Sequence, residues 1–410
     1  MGLLVLTPWT ARVARPSELT PQAYLPLVSS EQRPYEVRGL WVTRFDWTFS
    51  GQQAQPEVLD EIVQNAAAAG FNIILFQVRG TADAFYTPGL EPWSQRLNSD
   101  GELGKDPGWD PLAYMIERAH AAGLQLHAYI NVYPTWSGTT PPLDVQEPPH
   151  PFWTWSEWPG TGWADWRQWD DQHQPMNLNP GYLHASPGAP PVVEHIVSVA
   201  QDIAGRYSID GLHLDYIRYA GSAYSCDPFS ESEAGTACFG PGWEDWQRER
   251  VNALVQDVYQ ALPPGLMLSA AVWPVYRDFW GWGVSEGYSD YYQDSKAWIG
   301  GGYLDAMLPM IYPSSYGACD PEQQFCWTQE VWQTLATDFQ ASRNGRFVVP
   351  GIGAGYSDFG EIEARISAAR SIGTAGHALF SYSGLLAHGY FDDLANGPYA
   401  QPAAVPPMTW

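Results

Sequence analysis

The chain has 410 residues, 45% of them hydrophobic, and a formal net charge of −25 from 45 acidic and 20 basic residues. So few Lys and Arg exclude nucleic acid as a partner, because phosphate binding needs basic clusters; the acidity reads as solubility. No stretch approaches the roughly 20 apolar residues of a membrane span, so no transmembrane segment is expected.

Residues 1–32 are Pro- and polar-rich and are expected to form an extended arm. They open with MGLLVLTPWTARVA, an apolar run without a basic n-region that reads as a possible signal-peptide remnant. Eight short apolar runs follow within residues 33–393: VRGLWVTRF from Val37, FNIILFQVRG from Phe71, LQLHAYINVY from Leu124, IDGLHLDYIRY from Ile209, LMLSAAVWPVY from Leu266, DAMLPMIY from Asp305, RFVVPGIGAG from Arg346 and GHALFSYSGL from Gly376. Between most of them lies a helical stripe. Examples are Leu59, Ile62, Val63 and Ala66; Leu112, Met115, Ile116 and Ala119; Val193, Ile196, Val197 and Ala200; and Val251, Leu254, Val255 and Val258. Strands alternating with helices predict an α/β fold with a parallel sheet, and eight such units predict a (β/α)8 TIM barrel. Helix-to-strand connections are short, and several carry a capping glycine (Gly70, Gly123, Gly345, Gly373). Strand-to-helix connections are long: 80–108, 134–190, 220–242, 277–293 and 313–327. That asymmetry predicts a built-up C-terminal face, where such barrels place their sites. Residues 394–410 are expected to be a loosely packed Pro/Ala-rich tail.

The bias toward Trp and Tyr, 21 and 23 residues, is larger than a core requires. Flat aromatic faces on a concave surface stack against sugars. The 134–190 insertion alone holds Trp136, Trp153, Trp155, Trp158, Trp163, Trp166 and Trp169. Some must form a core within the insertion, and about two are expected to line a cleft. The four cysteines fall into local pairs, Cys226 with Cys238 and Cys319 with Cys326. Neither has C-x2-C spacing, so two disulfides and an oxidising compartment are the favoured reading. Zinc sites and reduced thiols are the alternatives.

Alternation along the strands selects the inward residues. Leu212 and Leu214 outward put His213 and Asp215 inside the fourth run; Leu126, Ala128 and Ile130 outward put His127, Tyr129 and Asn131 inside the third; the second places Gln77 and Arg79 inward. An inward carboxylate is costly unless hydrogen-bonded or used. Asp215 therefore reads as catalytic or substrate-binding, against a structural reading in which Arg218 or backbone amides hold it. Glycoside hydrolysis usually needs two carboxylates, and Glu91 or Asp83 in the following loop is the expected partner. Arg44 and Asp46 after the first run, and Tyr312 and Tyr316 after the sixth, are candidate rim contacts; Gln77, Arg79, His127, Asn131, His213, Tyr216, Arg218 and Trp273 are the further candidate substrate contacts. His127, His213 and Asp215 could instead bind a metal, but no H-x-H or H-E-x-x-H pattern supports that, and no cofactor fingerprint occurs.

Taken in order, RGLWVTR, FNIILFQVRGTADAFY, EPWS, WDPLAYMIERAHAAGLQLHAYINVY, MNLNPG, DGLHLDYIRY and LPMIY resemble the glycosyl-hydrolase-like 10 family, over about residues 34–390. The resemblance implies a bacterial (β/α)8 barrel, secreted or in the cell envelope, that acts on polysaccharide, with bacterial cell-wall glycan one candidate substrate. The positions that match its motifs are Arg44, Gln77, Arg79, Asp83, Glu91, His127, Asn131, His213, Asp215, Tyr216, Arg218 and Tyr312. The Trp-rich insertion and the two cysteine pairs depart from the family pattern. The expected protein is an extracytoplasmic glycosidase needing no cofactor. Its rivals are a non-catalytic carbohydrate-binding barrel and a metal-dependent hydrolase or deacetylase.

Overall fold

The computed structural model describes residues 34–155, 165–313, 316 and 325–410; the arm expected at 1–32 lies outside them. All eight apolar runs are strands. The barrel strands are β1 (Val37–Val42), β2 (Ile73–Arg79), β3 (Gln125–Asn131), β6 (Gly211–Asp215), β7 (Met267–Val272), β8 (Ala306–Pro309), the two short pieces β9 (Phe347–Val348) and β10 (Gly351–Gly353), and β11 (Gly376–Phe380). Between β3 and β6 an antiparallel pair is inserted, β4 (Pro134–Gly138) with β5 (Asn179–His184).

The main sheet is wholly parallel, in the order β10-β11-β1-β2-β3-β6-β7-β8-β9. β9 and β10 are halves of one strand, interrupted at Pro350, which has no N–H to donate to a ladder. Hydrogen bonding continues across the break: Val349 donates to the Met307 carbonyl, and Ala378 to that of Pro350. The sheet therefore closes on itself as the predicted barrel. Its interior is packed, with Trp41, Leu75, Tyr129, Met267, Leu308 and Val349 among the buried side chains. Near the amino-terminal end only a void of about 20 Å³ remains.

Outside the sheet the helices bury the predicted stripes. Leu59, Ile62, Val63 and Ala66 lie inward on Pro56–Ala69, and Val251, Leu254, Val255 and Val258 on Trp243–Ala261. Each such aliphatic side chain contributes about 1.5–3 kcal/mol by burial, so Ile62→Ala would cost about 2–5 kcal/mol. Helix Pro190–Arg206 is rotated from expectation. Val192, Ile196, Val199, Ala200 and Ile203 are buried, while Val193 and Val197 sit on its flank. Gly70 and Gly373 cap their helices at positive φ, 91° and 77°, as expected.

The tail does not pack loosely. Tyr399 is buried, with its hydroxyl 2.7 Å from His377 Nε2. The Trp410 indole donates to Asp305 at 2.8 Å, under the Arg346 guanidinium. Proline makes this segment stiff, and its apolar residues cover the open lower end of the barrel, where Val405 and Met408 join the interior cluster. One expected disulfide is present, Cys226–Cys238. Cys319, half of the other pair, lies outside the described residues.

Candidate active site

The upper end of the barrel gathers Asp215, two arginines and several aromatic rings. Asp215 ends β6, opposite Asn131 of β3. Its Oδ2 accepts from the Tyr129 hydroxyl at 2.8 Å, and its Oδ1 accepts from the Tyr216 amide at 2.6 Å. Tyr216 itself has φ +51°, a left-handed conformation rare for a bulky residue. Such strain costs about 1–3 kcal/mol and clusters where function requires it. Burial, and then the charge of Asp215, push the Tyr129 phenol far above its usual range. It stays protonated and remains a donor.

Arg218 lies 3.6 Å from Asp215, with its guanidinium over the rings of Tyr216 and Trp273. It is 8% exposed, and its Nη1 has no hydrogen-bond partner. Trp273 lies against Tyr291 at 4.0 Å and donates its indole N–H to the Ser285 carbonyl. Tyr312 stacks on Phe380 at 4.9 Å, with Trp41 edge-on to both. Burial and the Asp215 charge also raise the Tyr312 phenol, so it too remains a neutral hydroxyl. On the opposite side the Arg44 guanidinium donates to the Tyr182 hydroxyl at 2.8 Å, and Tyr182 packs edge-on against Tyr216.

Gln77 and Asn131 face inward as alternation required, but they are committed to each other. Gln77 accepts from the Arg44 amide and donates to the Asn131 side chain, which donates to the Gly80 carbonyl. They hold the first and second strand loops in register and support the site from below.

Other expectations need correction. Arg79 does not face the mouth: the β2–β3 register shifts between Gln77 and Arg79, and the side chain turns under the following loop. There it meets Glu91 in a pair that is 0% exposed on both sides, and it also donates to the carbonyls of Asn131 and Val132. Glu91 further bonds His195 Nε2 at 2.9 Å. Burial alone would raise the Glu91 carboxyl, but the Arg79 charge and the His195 hydrogen bond outweigh it and hold it at about 2. With no open face, Glu91 anchors its loop through Arg79 and His195. Asp83 turns one oxygen into its own loop, accepting from the Thr81 amide at 2.6 Å, and lies beside Arg96 and His150.

The two histidines sit below the mouth, in different layers. His127 packs so closely on β6 that a Cβ at Gly211 would lie 2.5 Å from its ring. One ring nitrogen of His213 takes the Trp41 indole proton at 3.2 Å, and the other lies 2.8 Å from the Ser269 hydroxyl. Burial lowers both imidazoles, to about 4 and about 3, so both are neutral near pH 7. They are interior polar groups, not rim contacts. Both nitrogens of His213 are engaged, by Trp41 and Ser269.

Tyr182, His184, Tyr291 and Trp41 were not singled out from the sequence. Burial and then Arg218 lower the His184 imidazole to about 4, so it too is neutral. Tyr182 and His184 come from β5, inside the Trp-rich insertion, and no barrel periodicity marks them. Of the insertion tryptophans among the described residues, Trp136, Trp155 and Trp166 are buried in the main core, the last two in edge contact, while Trp153 and Trp169 are half-buried. Trp158 and Trp163 lie outside the described residues.

Comparison with known proteins agrees with this architecture. The chain is 28% identical to the glycosyl hydrolase YngK of Bacillus subtilis (strain 168), over 94% of this chain and 76% of that protein. It is 26% identical to the glycosyl hydrolase DigH of Escherichia coli (strain K12), over 78% of this chain and 76% of that one. Among solved structures, the PgaB (BpsB) glycoside hydrolase domain from Bordetella bronchiseptica superposes with a TM-score of 0.60 at 13% identity, covering 88% of this chain and 98% of that domain. Alpha-L-fucosidase isoenzyme 2 from Paenibacillus thiaminolyticus gives 0.56 at 16% identity, covering 89% and 49%. At such identities the likeness establishes the shared barrel fold. The family model described as glycosyl hydrolase-like 10 matches residues 36–338. Since that match spans most of the chain, the chain belongs to the glycosyl hydrolase-like 10 family.

Proposed function

We propose that the protein is an extracytoplasmic glycoside hydrolase acting on a polysaccharide, with bacterial cell-wall glycan a candidate substrate, and that Asp215 is its principal catalytic carboxylate. The observation that carries this reading is the placement of Asp215: at the end of a barrel strand, held by Tyr129 and Tyr216, and bordered by Arg218, Trp273 and Tyr312. Aromatic rings would pack on sugar faces, while Arg218 and Arg44 would hold hydroxyls or acidic substituents. Glycosidic cleavage then needs a proton delivered to the leaving oxygen and a nucleophile or base on the opposite side. With Glu91 confined to its ion pair, Asp83 is the proposed second carboxylate. The Cys226–Cys238 disulfide supports an oxidising compartment. Among the described residues, no helix is long and apolar enough to cross a membrane.

A non-catalytic carbohydrate-binding barrel is the second reading. It is favoured by Glu91 having no open face, which leaves Asp83 to complete the pair. The deciding experiment incubates the protein with a glycan panel that includes cell-wall glycan strands, with and without chelator, and reads the products by mass spectrometry. A new reducing end that survives chelation, absent with Asp215→Asn and strongly reduced with Asp83→Asn, is the expected outcome. Binding without any product supports the sugar-binding reading, and a product that needs metal overturns the carboxylate mechanism.

A further inference from the structure

A second aromatic surface lies on the outer flank of the barrel, built by the loops after β7 and β8. Trp280 and Trp282 stack nearly parallel, 4.5 Å apart at 17°. Trp282 continues to Phe325 at 5.3 Å, and Phe325 to Trp327 at 5.2 Å. Phe279, beside Trp280, is 67% exposed. None of these rings takes part in the cluster round Asp215. Trp280, Trp282, Phe325 and Trp327 are half-buried, and Phe279 alone of the five is exposed.

The neighbouring wall is polar. Helix Gln329–Ala341 buries Trp332, Leu335 and Phe339 toward the barrel and turns its other side outward. Between that side and Trp280 lies an open groove of about 500 Å³, lined by Glu330, Gln333, Thr334, Thr337 and Asp338. The two threonine hydroxyls donate to helix carbonyls, leaving their lone pairs free to accept. Gln333 adds an amide donor and acceptor. One flat aromatic wall and one wall of hydroxyl, amide and carboxylate groups match the two chemistries of a sugar ring, its C–H face and its hydroxyl edge. Membranes and polyanions suit the surface poorly. Glu330 and Asp338 bring negative charge, Asp338 is paired with Lys296, and the chain as a whole carries −25.

We infer that Trp280 and the outward face of helix Gln329–Ala341 form a secondary glycan-binding site for a neutral polysaccharide chain, separate from the mouth that holds Asp215. The inference rests on the proposed function in that it assigns the same class of ligand. A second contact makes capture of a long chain at the mouth effectively intramolecular, so polymer is held more tightly than a short oligosaccharide.

The test is affinity electrophoresis of the full chain through gels containing glycol chitin or hydroxyethyl cellulose, both neutral, with alginate as the polyanionic comparison. The wild type is expected to be retarded by at least one neutral polymer. Trp280→Ala should weaken the retardation roughly tenfold, the scale of one lost aromatic stacking contact. Gln333→Ala, on an outward helix position where folding is not at risk, should weaken it less but measurably. Asp215→Asn should be retarded like the wild type. No retardation in either neutral gel, retardation in alginate alone, or undiminished retardation of both groove variants overturns the site. Retardation lost in Asp215→Asn but kept in Trp280→Ala places all binding at the mouth and overturns the second site, while leaving the glycosidase reading intact. Conversely, an active Asp215→Asn variant refutes the proposed catalysis without touching the groove.

Discussion

Asp215 and Glu91 are both carboxylates beyond the upper ends of barrel strands, and both are nearly sealed from water, yet they sit in opposite surroundings. Glu91 meets a full arginine, two guanidinium nitrogens at 2.8 Å, and a histidine. Asp215 meets a phenol and a single amide, with the nearest guanidinium at 3.6 Å. The first is a saturated ion pair whose loss would unravel a loop. The second keeps a charge only loosely compensated, next to a strained residue and an arginine nitrogen without a partner. Burial of an acid does not by itself mark a site; what matters is whether the protein has already satisfied it.

The largest expected effect separates the two residues most directly. Asp215→Asn should lower turnover on the true substrate about 10²–10⁴-fold, the range for a lost acid–base group, with an unchanged melting temperature. Near-wild-type turnover would remove it from the mechanism. Glu91→Gln should do the reverse. Breaking a buried ion pair costs about 3–5 kcal/mol, so thermal unfolding should shift markedly while the rate per folded molecule holds. A stable but inactive Glu91→Gln would return that residue to the chemistry.

Acid sharpens the same contrast. The folded-state value for Glu91 is about 2, against 4.5 ordinarily. A depressed carboxylate stabilises fully above its unfolded value and loses that contribution as pH falls through the folded one. About 3 kcal/mol should therefore disappear between roughly pH 4.5 and pH 2. In Glu91→Gln the acid limb measured by denaturant titration should be correspondingly flatter; an identical limb would mean that the pair contributes nothing. Reducing Cys226–Cys238 should cost about 2–4 kcal/mol, seen as a lower midpoint with reductant. Tyr129→Phe removes one hydrogen bond to a charged group and should slow turnover roughly tenfold, with a shifted acid limb in the pH–rate profile. No change in either quantity would show that Asp215 does not depend on that phenol.

Much of this was legible in the chain. Period-two alternation correctly turned Gln77, His127, Asn131, His213 and Asp215 inward, because sheet geometry leaves side chains only two directions. It could not say how deep each lies along a strand, and the structure puts His127 and His213 in layers below the mouth. It failed at Arg79, where a register shift between adjacent strands undoes the alternation. The Trp-rich insertion was visible as composition, but composition does not distinguish a private core from a cleft lining.

The sequence by itself determined the barrel, its long upper loops, the inward face of each strand and Asp215 as its sharpest residue. These follow from local periodicity and from the cost of burying a charge, which any stretch of chain carries with it. Only the tertiary structure decided that Glu91 is spent on Arg79 and His195, that Tyr182 and His184 of the insertion return to the mouth, and that Val405 and Met408 of the tail reach the floor of the barrel. Those outcomes depend on which distant groups arrive beside one another, and residues 104 apart, like Glu91 and His195, have no local signal that they will meet.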